Sequence, residues 1–384
     1  MRLLYLLNIS NPGRLSADSG FTFADLLSPA LADAGVDVTV AAPAPAGDER
    51  VGFAPTVSPS TKYRARLDPG LDELVALVRR VRPEVVVANQ IEAAPAIRAA
   101  LLEAGTDARI AGYCHYLPFS FTDDGDLELD PSLDDGGLGR SVLLSFAAGL
   151  AACDRVLVHS ATAASWTTAA ADRTGVELAE KLHVVPAPRD ERLVRDPADN
   201  LPPDGRATAV YNHRLYAHYG TARFTQLAQH LVAEAPVELT VMDLFGTRSP
   251  ERVRLDPSPE RHRDELATLD GVTIASDRGD RVRYRNLLAG AHFGIAPFRP
   301  GCPWSMSVVD CQGMGLPVIA PRTGWLAEHI DDDLLFDTDD QAVQIACRLA
   351  TDAEFYRVHA KRAHASTADF APAAVAARYL EAIA

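Results

Sequence analysis

A repeated alternation restricts the fold of this chain more than any other feature. Short apolar runs rich in valine, isoleucine and leucine, each closed by glycine, proline or polar residues, give way to alanine- and leucine-rich stretches with helical spacing. Such a run is long enough for a strand buried on both faces, and a helix between successive runs is the connection that parallel strands require. The spacing predicts strands at Leu3–Leu7, Val36–Ala42, Val85–Ala88, Arg109–Tyr113, Arg155–Val158 and His183–Val185. Helices fall near Phe21–Ala34, Leu71–Val81, Ala93–Glu103, Leu138–Ala152 and Ala161–Asp172. A second series follows, with strands at Ala207–Tyr211, Glu238–Met242, Val272–Ile274, Gly294–Pro297 and Pro317–Ala320. Both series are those of an α/β protein with doubly wound parallel sheets.

The length of 384 residues suits two such domains. Between the series, Pro186–Arg206 loses the apolar periodicity and gains Asp, Arg and Pro. We place a first Rossmann-like domain over 1–188, a linker over 189–206 and a second Rossmann-like domain over 207–368. The final stretch 369–384 is helical in pattern over Pro372–Ile383 and has no sheet partner in the second series, so a return to the first domain is expected.

With 37 basic and 52 acidic residues the net charge is −15, which repels a polyanion on average. A nucleic-acid partner would need a local basic groove, for which Arg278, Arg281, Arg283 and Arg285 are the candidates. The opening run Leu3–Leu7 is too short for a signal peptide or a membrane span, so a cytoplasmic location is expected. The five cysteines, Cys114, Cys153, Cys302, Cys311 and Cys347, form no C-x-x-C pair, and no paired histidine spacing of a zinc site is present. Neither disulfides nor a structural metal is expected. The acidic stretch Thr122–Gly137 lacks EF-hand spacing and reads as a solvated surface loop; the alternatives are a loop that helps shape an acceptor site and a metal site.

In doubly wound domains, ligands bind beyond the carboxyl ends of the strands, where helix N-termini present free N–H groups. The loop Asn8–Phe21 after the first strand is rich in small residues but is not G-x-G-x-x-G, which argues against a nicotinamide cofactor. Ser19 and Gly20 at its end would let an acceptor or donor approach the backbone closely. After the fourth strand stands His115, suited to bond a sugar hydroxyl or move a proton; the alternative is a core histidine. Arg214 follows Ala207–Tyr211, where a guanidinium can hold a phosphate through two N–H groups; the alternative is a surface arginine. The densest segment runs from Pro297 to Ala320. There Trp304, Ser305, Met306 and Ser307 lead into a helix whose N-terminus suits a diphosphate. Asp310, expected in the first turn of that helix, can reach two hydroxyls of a ribose; the alternative is an acid that stabilises the positive helix end.

These elements resemble the retaining glycosyltransferases of family four, which have the GT-B fold. The most specific pieces are Asp154-Arg-Val-Leu-Val-His-Ser160, Lys181-Leu-His-Val-Val-Pro-Ala-Pro188, and Asp310 through Ala320, which is similar to the family's E-A-x-x-x-G-x-P-V-I-A stretch. The resemblance implies two Rossmann-like domains facing across a cleft and a nucleoside diphosphate sugar as donor, with no other cofactor and no metal. It matches Arg214 to the family's diphosphate-binding arginine, Asp310 to its ribose-binding glutamate and His115 to the histidine beside the transferred sugar. Asn212-His-Arg214 and Ser307-Val-Val-Asp310 are similar to tRNA-queuosine mannosyltransferases. Two positions depart from the family: Tyr219 stands where a lysine is usual, and Cys302 where a glutamate contacts sugar hydroxyls.

The expected function is retaining transfer of a sugar to an acceptor, a small molecule being favoured. The donor phosphate would take the acceptor proton, so the carboxylate pair of a glycosidase is not required. Two alternatives remain: a glycosyltransferase acting on a modified base in DNA or RNA, and a nucleotide-sugar-binding pseudoenzyme or partner subunit, which Tyr219 and Cys302 would favour.

Overall fold

The structure, a computed structural model, describes residues 1–9, 15, 18–56, 68, 70–122, 125–129, 134, 136–244, 248, 253–254, 256–299 and 301–384. They divide into two compact units, Met1–Pro188 with Pro372–Ala384, and Arg189–Ala371.

In the first unit seven parallel strands lie in the order β3-β2-β1-β4-β5-β8-β9. They are β1 (Arg2–Leu6), β2 (Asp37–Ala42), β3 (Gly52–Pro55), β4 (Val85–Ala88), β5 (Arg109–Tyr113), β8 (Arg155–Val158) and β9 (Leu182–Val184). The helices are α1 (Ser19–Asp33), α2 (Leu71–Val81), α3 (Ala94–Ala104), α4 (Gly139–Ala152) and α5 (Ala161–Thr174). Strand β1 pairs with β2 on one side and β4 on the other, so the winding reverses between β1 and β4. At such a switch point the following loops part and leave a crevice.

Three strands were not legible in the first half of the sequence. β3 is an edge strand that begins at Gly52 and ends at Pro55, with three of its four residues exposed. The antiparallel hairpin of β6 (Phe119–Phe121) and β7 (Leu127–Leu129) has three-residue strands, and β7 lies inside the acidic stretch that was expected to be a loop. Residues 123–124, 130–133 and 135 of that stretch lie outside the described residues, as do 10–14 and 16–17 of the loop after β1.

The Asp154–Ser160 motif has a structural explanation. The Asp154 carboxylate accepts from the Ile110 N–H at 2.7 Å and from Arg98 at 2.6 Å, fixing the starts of β5 and β8 together. Ser160 caps α5 by accepting from the Ala163 N–H at 3.0 Å. The C-terminal helix, Pro372–Ile383, belongs to this unit: Tyr379 is buried with its ring 6.3 Å from that of Tyr113.

In the second unit six parallel strands lie in the order β12-β11-β10-β13-β14-β15. They are β10 (Ala207–Tyr211), β11 (Val237–Met242), β12 (Val272–Ala275), β13 (Phe293–Ile295), β14 (Val318–Pro321) and β15 (Leu335–Phe336). Helices α6 (Thr221–Glu234), α7 (Ser258–Leu266), α8 (Arg281–Ala289), α9 (Met306–Gly313), α10 (Gly324–His329), α11 (Asp339–Thr351) and α12 (Ala353–Ser366) cover the sheet, and Pro372–Ile383 is α13. The switch point falls between β10 and β13. No helix among the described residues is long and apolar enough to cross a membrane.

The segment 189–206 is not the free linker that its composition suggested. Asp190 caps a 3-10 turn over Glu191–Leu193, and Leu193 is buried in the second core. The Arg195 N–H donates to the Gly313 carbonyl at 3.0 Å, and the Asn200 amide donates to the Met314 and Gly315 carbonyls at 2.9 and 3.0 Å. Single anchors in an aperiodic stretch leave no periodic signature, which is why the sequence hid them. Residues 369–371 likewise stay with the second unit, where Phe370 is buried against Trp304. Leu193→Ala should destabilise the second unit by about 2–4 kcal/mol, a buried leucine truncated to leave a cavity. A lowered denaturant midpoint checks this; a mere tether would leave the midpoint unchanged.

Candidate functional site

The second unit assembles its candidate site at the β10/β13 switch point. The loop after β10 carries Asn212, His213 and Arg214 and reaches Gly220, whose φ of 70° favours glycine. A Cβ at Gly220 would strike the Phe298 carbonyl, and the Phe298 N–H donates to the Tyr219 carbonyl at 3.1 Å. The two switch-point loops are thus held directly against each other. The loop after β13 ends at Ser305, which caps α9 by accepting from the Val308 N–H at 3.4 Å. The other first-turn N–H groups have no partner within the helix, and the helix dipole makes this end attractive to an anion.

A chain of hydrogen bonds joins these parts. The Asn212 amide donates to the Ser307 carbonyl at 3.0 Å and to the Tyr284 hydroxyl at 2.8 Å. Tyr284 in turn donates to Asp310 Oδ2 at 2.9 Å. Arg281 donates to both Asp310 oxygens at 3.4 Å, and more closely to Asp190 at 2.8 Å through its Nε. Burial pushes the Asp310 carboxyl above its ordinary range, with Arg281 and Tyr284 opposing the rise.

Several expectations need correction here. Asp310 lies in the second turn of α9, not the first, so it is no simple partner of the helix dipole; it is a buried carboxylate with its own donors. Cys302 is fully buried in the second core, where its thiol is pushed up to about 12, and it presents no group to a ligand. Met306 and Trp304 are half-buried and pack against the same core, Trp304 with its ring 4.5 Å from Trp325. Ser307 is half-buried and offers its carbonyl to Asn212. Arg214 and Tyr219 are half-buried at the loop after β10. Arg223, a second cation near Tyr219 in sequence, is engaged by Asp339. Arg281 and Tyr284 escaped notice as site residues because they belong to a helix with a weak apolar face, and only their partners give them a role.

In the first unit a cavity of about 120 Å³ opens at the β1/β4 switch point. Asp18, Ser19, Gly20, Asn89, Glu92 and His115 are among its lining residues. Asp18 caps α1 by accepting from the Phe21 N–H at 2.9 Å, and a Cβ on Gly20 would press on the Asn89 amide, so a larger residue where the helix begins would displace that side chain. Asn89 is itself oriented by the Tyr5 hydroxyl, which donates to it at 3.0 Å. His115 is half-buried among Phe23, Tyr113 and His159, and its Nδ1 has no hydrogen-bond partner among the described residues. Burial lowers its pKa to about 4 against the pull of Asp18, so the imidazole is neutral at pH 7. His213 in the second unit is lowered to about 3, also by burial.

Residues 21–192 match the family model described as Glycosyltransferase Family 4. No curated protein sequence matches the chain significantly. Solved structures match it over nearly its whole length. Sucrose-phosphate synthase from Thermosynechococcus elongatus is 17% identical over 99% of this chain and 98% of its own, with a TM-score of 0.72. HepE from Anabaena, solved with UDP and glucose, is 14% identical over 99% of this chain and 98% of its own, with a TM-score of 0.69. A UDP-forming α,α-trehalose-phosphate synthase from Burkholderia xenovorans is 14% identical over 100% and 98%, with a TM-score of 0.66. At such identities the likeness establishes the fold. The fold is that of these GT-B glycosyltransferases, and residues 21–192, nearly all of them in the first unit, match the family-four model. Neither comparison singles out the tRNA-queuosine branch.

The neutral histidines carry a pH dependence. Unfolded histidine titrates near about 6.5, whereas His115 and His213 hold no proton in the fold until about 4 and about 3. Between those limits the unfolded chain binds more protons, so stability falls as pH drops from about 6.5 towards 4. Denaturant midpoints should decline between pH 7 and 5, and decline less in His115→Gln; an equal decline in the variant would mean that His115 does not contribute.

Proposed function

We propose that the chain is a retaining glycosyltransferase that moves a sugar from a nucleoside diphosphate sugar to a small-molecule acceptor. The observation that carries this is the hydrogen-bonded path from the β10 loop through Tyr284 to Asp310, alongside the open N-terminus of α9. It gathers a cation, Arg214, anion-binding N–H groups and a carboxylate at one switch point, the set that a nucleoside diphosphate needs. HepE, of the same fold, has been solved with UDP-glucose, which supports a uridine diphosphate donor.

In this reading Arg214 and the first turn of α9 hold the diphosphate. Asp310 exchanges the long 3.4 Å contacts of Arg281 for ribose hydroxyls, while Arg281 keeps its 2.8 Å bond to Asp190. The acceptor oxygen then attacks the anomeric carbon from the side on which the diphosphate leaves. The bond from that carbon to the phosphate oxygen breaks, and the acceptor proton passes to the departing phosphate oxygen. Negative charge that grows on the diphosphate is met by groups already oriented towards it. Neutral His115 accepts a hydrogen bond from a hydroxyl through Nδ1, with Ser19 and Gly20 letting that partner come close.

Two observations bear on the alternatives. Cys302 is buried, so its lack of a carboxylate says nothing against catalysis. Arg281 is used internally by Asp190 and Asp310, which weakens the basic row once considered for a nucleic-acid acceptor.

Arg214→Ala should weaken nucleoside diphosphate binding by about 1.5–3 kcal/mol, the loss of a charge-assisted contact. Asp310→Asn should weaken the nucleoside diphosphate but leave inorganic pyrophosphate nearly unchanged. Titration calorimetry on both variants checks the donor site, and an NMR reading of the anomeric configuration of product checks retention. Binding with neither transfer nor hydrolysis of any nucleoside diphosphate sugar would leave only the binding-protein reading.

A further inference from the structure

A second cluster of chemistry in the second unit shares no residue with the site above. After α10 the chain turns through Asp331, Asp332 and Asp333, and Asp331 caps a 3-10 turn over Asp332–Leu334 by accepting from the Asp333 N–H at 3.2 Å. Facing this turn is His359 of α12, only 2% exposed. Its Nδ1 donates to the Phe355 carbonyl at 2.8 Å; a carbonyl has no proton to give, so Nδ1 must carry the hydrogen. Nε2 is the ring nitrogen turned towards the Asp331–Asp333 turn. It is buried, has no hydrogen-bond partner among the described residues, and stands 3.4 Å from Asp333 Oδ2 and 3.8 Å from Asp331 Oδ1.

A bare imidazole nitrogen turned towards two carboxylates would set lone pair against lone pair. A proton or a metal cation between them makes the arrangement attractive. The three ligand atoms lie within 4.8 Å of one another, and ligands at 2.0–2.1 Å from a tetrahedral ion are separated by about 3.3 Å, close to the 3.4 and 3.8 Å from Nε2 to the two carboxylates. A ring nitrogen whose other N–H is fixed by a backbone carbonyl is the arrangement in which histidine binds metal. One imidazole with two carboxylates suits a divalent transition ion such as zinc better than an all-oxygen ion such as calcium.

We propose that His359, Asp331 and Asp333 form a zinc-class divalent metal site that clamps the turn before β15 to α12. Arg362 tunes it: its Nη1 donates to Asp331 Oδ2 at 2.8 Å and stands 4.0 Å from Asp333 Oδ2. It leaves Asp331 Oδ1 facing His359 but places a positive charge beside the incoming ion.

Zinc ion titrated into metal-free full-length protein at pH 7.5, read by calorimetry, should show one saturable ion per chain. Asp333→Asn changes a side chain that is 58% exposed, so it should keep the wild-type circular dichroism and melting point without zinc, yet bind zinc at least tenfold more weakly. His359→Gln should lose binding as well, and Arg362→Gln should bind more tightly by removing the repulsion. Thermal melts should rise with zinc in the wild type and not in Asp333→Asn. Absence of saturable uptake by the wild type, or unchanged affinity in folded Asp333→Asn, would overturn the proposal. A lone proton bridging His359 to the carboxylates would give that negative result. The nucleoside diphosphate titration of the wild type is independent of this outcome, so either idea can fail alone.

Discussion

A carboxylate taken out of water must find donors, because an unpaired buried charge is among the most expensive features a fold can contain. At Asp310 this requirement is met by Tyr284 and Arg281, both from α8, so α8 and α9 have to sit beside each other. Arg281 then reaches Asp190 at the start of the second unit, and Tyr284 receives the Asn212 amide from the loop after β10. One buried acid therefore couples four segments far apart in sequence. The bonds of Arg281 are unequal, short to Asp190 and long to Asp310. Such a network can give up its weaker contacts to a ligand without losing its anchor.

The first unit solves a different problem. Phe23 and Tyr113 pack around His115 at its switch point, and Tyr379 stacks on Tyr113. Tyr379 comes from the C-terminal helix, so that helix packs against a ring that itself lines the cavity, Tyr113. An apolar surround keeps the imidazole neutral, and a neutral ring can accept from a hydroxyl where an imidazolium could only donate. The histidine's surroundings thus determine which half of a hydrogen bond it can supply.

The two departures from the family pattern separate once side chains have places. Cys302 lies in the core, where a glutamate would be a buried charge, so the position cannot do in this chain what the motif spacing suggested. Tyr219 stays half-buried beside the switch point, and its backbone carbonyl holds Phe298 while Gly220 allows the close approach. The loop geometry here depends on main-chain bonds, which tolerate a change of side chain.

The sequence by itself determined the strand and helix pattern, because apolar periodicity is a local property and β-branched runs bounded by Gly and Pro have few other uses. It also put Arg214 just past a strand end and a helix start near Ser307, since strand ends and helix starts can be counted along the chain. It could not reveal that Asp190, Leu193 and Asn200 bind the supposed linker to the second unit, or that Arg281 and Tyr284 serve Asp310. It placed Asp310 one turn too early, and it offered no hint that His359 faces Asp331 and Asp333 across 26 or more residues. Those relations are contacts between distant segments, each resting on one side chain with no period around it. Tertiary packing alone decides them, because only the folded chain removes water from a group and leaves it to find a partner.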